Sequence, residues 1–204
     1  MLREIKKELV HHFPFTAIGA LTGIILMIVF KDMPEKTAHS LFSVFHPGHV
    51  FLSALVTSAM YRNYKCRVDK KECNIFALLL IGYVGSVGIA TLSDSLIPYF
   101  GEAILNMPHR HMHIGFLESW WVVNPIAVIG IIIAYYKPYT KFPHFGHVLL
   151  STWASVFHIM AAKGEGMSLL IYAGAFLFLL LAVWLPCCIS DIVFPLLFVG
   201  KKER

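Results

Sequence analysis

An eight-residue stretch occurs twice in this chain. Residues 46–53 read HPGHVFLS and residues 144–151 read HFGHVLLS, identical at six of eight positions. The copies stand 98 residues apart in a chain of 204, so each occupies the same part of its own half. Two further echoes flank them in the same order. A-x-x-G-I-I occurs at Ala20–Ile25 and Ala127–Ile132, and S-D-x-x-x-P at Ser93–Pro98 and Ser190–Pro195. Three landmarks in one order mark a duplicated chain. The fold is therefore expected to be a pair of like units.

The chain is 57% hydrophobic and 14% charged, too apolar to clothe a soluble domain of this size. Several runs approach the roughly 20 apolar residues that cross a bilayer. Six are expected: about 13–30, 48–61, 74–96, 119–136, 144–162 and 167–185. The basic N-terminus has no small-residue cleavage pattern, so the first run reads as a retained span. Lysine and arginine concentrate in residues 1–12, in the loop RNYKCRVDKKE at 62–72, at Lys137 and Lys141, and in the terminal KKER. With six spans all of these fall on one side, which the positive-inside rule assigns to the cytoplasm. The expectation is a multi-pass protein of the cell membrane with both termini cytoplasmic. The net charge of +5 reflects this loop placement and not a nucleic-acid surface, because the basic loops lack interleaved aromatics.

Three spans per repeat is an odd number, so the halves insert in opposite directions. The expected fold is an all-α integral membrane protein of six transmembrane helices in two inverted three-helix repeats, an arrangement typical of secondary transporters. Its parts are a cytoplasmic segment 1–12, a first repeat 13–101, an outer histidine-containing loop 102–118, a second repeat 119–200 and a tail 201–204. The second and fifth apolar stretches are short and open with the histidine pairs, which points to a binding site there.

Residues three or four apart share a helix face. His46 and His49 therefore project together, continued by Ser53 and Thr57. His144, His147, Ser151 and Ser155 repeat the stripe, and His158 extends it. Imidazole pairs on adjacent turns are metal ligands, and Asp94 and Asp191 are the carboxylates available to complete each set. The metal ligands expected are thus His46, His49 and Asp94 in one half-site and His144, His147 and Asp191 in the other. Ser53, Thr57, Ser151, Ser155 and His158 are expected to line the path. Straight-helix arithmetic sets a gap against this: at about 1.5 Å per residue, Asp94 lies roughly 10 Å deeper than His49 unless the helix tilts or breaks ahead of Pro98. The cluster His109, His111 and His113 has no counterpart in the first half and suggests outer metal capture.

The nitrogen and oxygen ligands suit zinc, manganese, iron or nickel without separating them. The function expected is a transporter or channel for a divalent transition metal, with the bilayer and the ion as partners, self-association as an option and nucleic acid excluded. An intramembrane metal-dependent hydrolase with one outer-face site is the alternative, and a non-catalytic scaffold subunit the third reading. The same residues also have plain structural uses. Gly48 and its partners serve close helix packing, Ser-Asp caps a following helix, and buried cysteines such as Cys187 and Cys188 are usually structural. The inventory of His-x-x-His, Asp and Ser resembles that of membrane-embedded zinc hydrolases of the alkaline ceramidase type. It departs from that family in spacing, which there is a longer His-x-x-x-His, and in its duplication, so no residue roles carry over.

Overall fold

The computed structural model describes residues 2–66, 74–138, 141–164, 168–189 and 193–198, and among them it contains helices and no strand. The chain runs through α1 (Leu2–Val29), α2 (Glu35–Tyr61), α3 (Ile75–Ile104), α4 (Trp120–Tyr136), α5 (Lys141–Ala162) and α6 (Leu169–Cys188). Among the described residues, Arg62–Cys66 continues α2 as a π-helical turn, and single-turn helices lie at Gly115–Glu118 and Phe194–Leu197. Three helical stretches, Glu35–Lys65, Ile75–Ile104 and Leu169–Cys187, are long and apolar enough to cross a membrane, and shorter apolar helices lie at Phe13–Val29, Trp120–Tyr136 and Gly146–Ala162.

The distribution of side chains is that of a protein solvated by lipid. Leu21, Ile25, Phe76, Leu80, Ile129 and Leu177 face outward, whereas serines, threonines and histidines fill the interior. Trp120 and Trp121 are exposed at the start of α4, where amphipathic rings suit a membrane–water boundary.

Two elements differ from the sequence expectation. Residues 31–45 are not a connection up to the histidine motif, because α2 begins at Glu35 and His46 lies well inside it. The reason is amphipathicity. Ala38, Phe42 and His46 recur at four-residue spacing and are buried, while Lys36, His39 and Ser40 on the other face are exposed. The second difference is α3, which neither ends nor breaks ahead of Pro98. It carries two π-helical stretches, Val84–Gly88 and Leu92–Leu96. The wider turns leave carbonyls free of the regular ladder, and a proline with no N–H to give is tolerated just after them.

The two motif helices, α2 and α5, form the most extensive helix pair and the centre of the fold. Their contact is reciprocal. A Cβ on Gly48 would lie 3.3 Å from the Leu150 side chain, and one on Gly146 would lie 2.8 Å from Leu52, the equivalent residues exchanged. The outer helices cross over: α1 packs on α5 and α4 on α2. Gly130 of α4 lies against the Phe51 carbonyl and Ala54, and Gly23 of α1 against Thr152 and Val156. Positions 54 and 152 are again one repeat apart. Small residues at these crossings let backbones approach closely.

The connections sort to two ends. At one, the Lys163 amine donates to the Lys31 carbonyl, and the His109 N–H donates to the Ala162 carbonyl at 3.2 Å. At the other, the Arg62 guanidinium sits 5.5 Å from the Tyr135 ring centre.

Candidate functional site

Along α2, His46, His49, Ser53 and Thr57 form one buried face, and along α5 so do His147, Ser151, Ser155 and His158. The α2–α5 crossing turns these polar stripes toward each other. The rings of His49 and His147, equivalent residues of the repeat, lie 5.6 Å apart centre to centre.

Asp94, on the second π-helical stretch of α3, is wholly buried among them. Its Oδ2 accepts from His46 Nδ1 at 2.9 Å and from His49 Nδ1 at 2.8 Å. Its Oδ1 accepts from the Ser93 hydroxyl at 2.7 Å and the Ser151 hydroxyl at 2.8 Å. The Ser155 hydroxyl ties the helices further, donating to the Ser93 carbonyl at 3.1 Å and the Ser151 carbonyl at 2.9 Å.

This geometry settles which nitrogens are available. An imidazole that donates from Nδ1 keeps its lone pair on Nε2. The Nε2 atoms of His46 and His49 are buried and have no hydrogen-bond partner among the described residues. A buried nitrogen acceptor left unmade is costly, and a carboxylate behind the opposite ring nitrogen is the usual support of a metal-bound histidine. Gly115 lies close against the His46 nitrogen: a Cβ there would stand 2.5 Å from His46 Nε2, so only a residue without a side chain fits beside the ring. Beyond His49, one ligand atom each from His49, His147 and Cys187 fall within 4.8 Å of one another, and all three residues are buried.

The expected residues are thus brought together in part. His46, His49 and Asp94 meet, but Asp94 stands behind the imidazoles instead of beside them. The helical stretch begun by α2 runs on to Lys65, beyond the end expected at 61, so His49 lies further from that end than straight-helix arithmetic allowed; this and the π turns of α3 narrow the gap. Ser151 joins the carboxylate. Ser53 and Thr57 lie buried further along α2. His158 is not between the two pairs; it lies one turn from the end of α5. The side chain of His144, and Asp191 altogether, lie outside the described residues.

His158 belongs to a vestibule at the α2 N-terminal end, a cavity of about 790 Å³ lined by Glu35, His39, His109, His111, His113 and His158 among others. At its base His158 Nδ1 donates to Glu102 Oε1 at 2.6 Å, with both side chains buried. His113 Nδ1 donates to Glu118 at 3.1 Å. Partial burial holds His113 below the ordinary histidine pKa, helped by the neighbouring His158 and His39 and opposed by Glu118. For Glu118, burial raises the pKa but is outweighed by the Ile114 N–H and His113, so its carboxyl is lowered. Phe42, 4% exposed, separates the vestibule from the core. It stacks on His46 at 5.2 Å and meets His158 edge-on at 5.3 Å.

The sequence assigns two participants other surroundings. Glu102 and Glu118 flank the His109–His113 cluster as possible extra ligands in the outer loop, whereas Glu102 lies within α3 and pairs with His158. The Cys187–Cys188 pair could offer thiolate to a soft metal beside Asp191, whereas Cys187 lies near His49 and His147. Comparison with models of protein families, with curated proteins and with solved structures finds no match.

Proposed function

We propose that this protein is a six-span, multi-pass transporter or channel of the cell membrane, built as two inverted three-helix repeats with cytoplasmic termini, that binds and moves a divalent transition metal cation. The observation that carries the reading is Asp94 Oδ2, which fixes the Nδ1 atoms of both His46 and His49 and leaves two buried Nε2 lone pairs with no partner among the described residues. Supporting the repeat are the reciprocal contacts of Gly48 with Leu150 and Gly146 with Leu52, which a two-fold relation between the halves requires. Supporting six spans are the three shorter apolar helices beside the three long ones.

In this reading the vestibule histidines, His109, His111 and His113, collect the cation from the outer side. Phe42 moves aside to admit it to His46 Nε2, and His49 and His147 pass it across the central crossing. Ser151 and Ser155 hold Asp94 and its helix in register; Ser53 and Thr57 continue the polar stripe toward the cytoplasmic end, with His144 and Asp191 as the ligands expected there. The test is elemental analysis of detergent-purified protein together with metal flux into proteoliposomes. Wild type is compared with the His46→Ala/His49→Ala and His144→Ala/His147→Ala double variants. Near-stoichiometric metal and flux, both lost in the first variant, are expected. Protein that takes up no metal on reconstitution would sink the proposal.

One observation favours a second reading, an intramembrane metal-dependent hydrolase. The vestibule, about 790 Å³, is of the size that accepts a small organic molecule and not merely an ion. Flux separates the two. A metal-loaded protein that moves no ion across a sealed bilayer is the outcome the hydrolase reading predicts.

A further inference from the structure

The proposal above leaves the cation's chemical class open, and the cluster at the α2–α5–α6 junction narrows it. We infer that His49, His147 and Cys187 form a single composite site that selects a thiophilic, tetrahedrally bound cation of the zinc class over hard cations such as manganese or magnesium. This rests on the metal-binding reading and deepens it.

Three observations meet here. Ligand atoms from the three side chains lie within 4.8 Å of one another, a spread that one ion can gather with small side-chain movements. The residues come from α2, α5 and α6, so both halves of the duplicated chain contribute and neither half holds the site alone. His49 is also one of the two imidazoles that Asp94 orients through Nδ1, so the Nε2 side is the one presented to a ligand.

Charge explains why a cysteine belongs in this place. A divalent ion held by neutral imidazoles alone would bring two uncompensated charges into a membrane interior, where burying charge is costly. Cys187 as thiolate supplies one negative charge in direct contact, and Asp94 supplies the second one hydrogen bond away. The site is then neutral overall. On binding, the metal–sulfur bond forms and the thiol proton leaves to the medium, as metal binding to thiols requires. Two nitrogens and a sulfur match the tetrahedral preference of zinc, cadmium or cobalt and leave one position for water. Manganese and magnesium favour oxygen ligands and six-coordination.

The test uses the full-length protein in detergent, loaded with Co²⁺ as the probe. Wild type is expected to bind about one cobalt per chain and to show a thiolate-to-cobalt charge-transfer band in the near ultraviolet with tetrahedral d–d bands in the visible. Cys187→Ser is expected to lose the charge-transfer band while keeping cobalt, whereas Cys188→Ser retains it. In competition, a wild-type preference for Zn²⁺ over Mn²⁺ of about 100-fold or more should fall at least about tenfold in Cys187→Ser. X-ray absorption of the zinc-loaded wild type needs no variant and should show one sulfur at about 2.3 Å with nitrogens at about 2.0–2.1 Å. Cobalt bound with no sulfur ligand would overturn this inference and leave the metal-binding reading standing. No cobalt or zinc bound to wild type would overturn both.

Discussion

Asp94→Ala tests the central geometry most directly. The substitution removes the acceptor of four hydrogen bonds, two from imidazoles and two from hydroxyls. The hydroxyls have alternatives, since Ser93 Oγ already lies 3.3 Å from the Ala90 carbonyl. The Nδ1–H groups of His46 and His49 have none comparable in the interior. Each buried donor left unmade costs about 1–3 kcal/mol, so the metal-free variant should lose about 2–6 kcal/mol. Moving the proton to Nε2 is no escape, because Nε2 is buried with no partner among the described residues, and it removes the lone pair a cation needs. The affinity falls in both tautomers, and loss of a supporting acceptor of this kind is worth about 10–100-fold. Asp94→Asn should fall between. Its oxygen can still face the imidazoles while its amide donates to the two serines, so stability is largely kept while the charge assistance is lost. The assay is calorimetric titration with Zn²⁺, paired with thermal unfolding with and without metal, because a ligand that binds only the native state raises the midpoint. Asp94→Ala protein that binds zinc as tightly as wild type would refute the role assigned to the carboxylate.

Other expectations concern packing, access and pH. Gly130→Ala places a methyl 2.8 Å from the Phe51 carbonyl oxygen and should cost about 1–3 kcal/mol in thermal unfolding; Gly88→Ala, with nothing within 4 Å, should be neutral or slightly stabilising. Gly115→Ala should weaken metal binding by about tenfold or more while sparing every ligand, because its Cβ would intrude 2.5 Å from His46 Nε2. Phe42→Ala should lower the unfolding midpoint, at about 3–5 kcal/mol for a buried phenylalanine, yet speed metal access in stopped-flow if the ring is the barrier between vestibule and core. His113, held below its ordinary 6.5, favours the neutral form in the folded protein. Its contribution is complete above pH 6.5 and is lost as pH falls through the lowered value. Glu118, held below 4.5, adds a second loss at more acid pH. Thermal midpoints of wild type and His113→Phe should therefore diverge only below about pH 6.5, and equal acid sensitivity would contradict the assignment.

Much of this arrangement is legible from the repeat. The doubled His-x-x-His predicts buried histidine faces on two helices, and His46, His49 and His147 are buried, with the side chain of His144 outside the described residues. The doubled glycines predict where helices cross, and Gly48 and Gly146 lie at the α2–α5 contact. That His46, His49 and Asp94 share one network follows from their shared polar character in an apolar chain. The order of contact does not. Sequence spacing ends the second stretch at 61 and treats α3 as a straight α-helix, whereas the α2 stretch runs on to Lys65 and α3 carries π turns at Val84–Gly88 and Leu92–Leu96. The start of α2 is obscured by Lys31, Asp32, Glu35 and Lys36, whose charges resemble a loop although the buried face continues beneath them. The Glu102–His158 pair joins residues 56 apart with no periodic signal, and Cys187 meets its neighbours from the last long helix. Pairings of that kind are set by how helices cross, which local pattern does not encode.

The exchanged packing of α1 on α5 and α4 on α2 has a consequence for the order in which the protein is made. The first three helices are made before α4 and α5 exist, and they carry a carboxylate, Asp94, that ends wholly buried. Asp94 does not wait uncovered, because His46, His49 and Ser93 all come from the same half and can satisfy three of its four contacts at once. Ser151 arrives later and closes the fourth. The early half thus has its carboxylate largely satisfied yet is unfinished, and the last hydrogen bond to Asp94 marks the moment at which the two halves become one molecule.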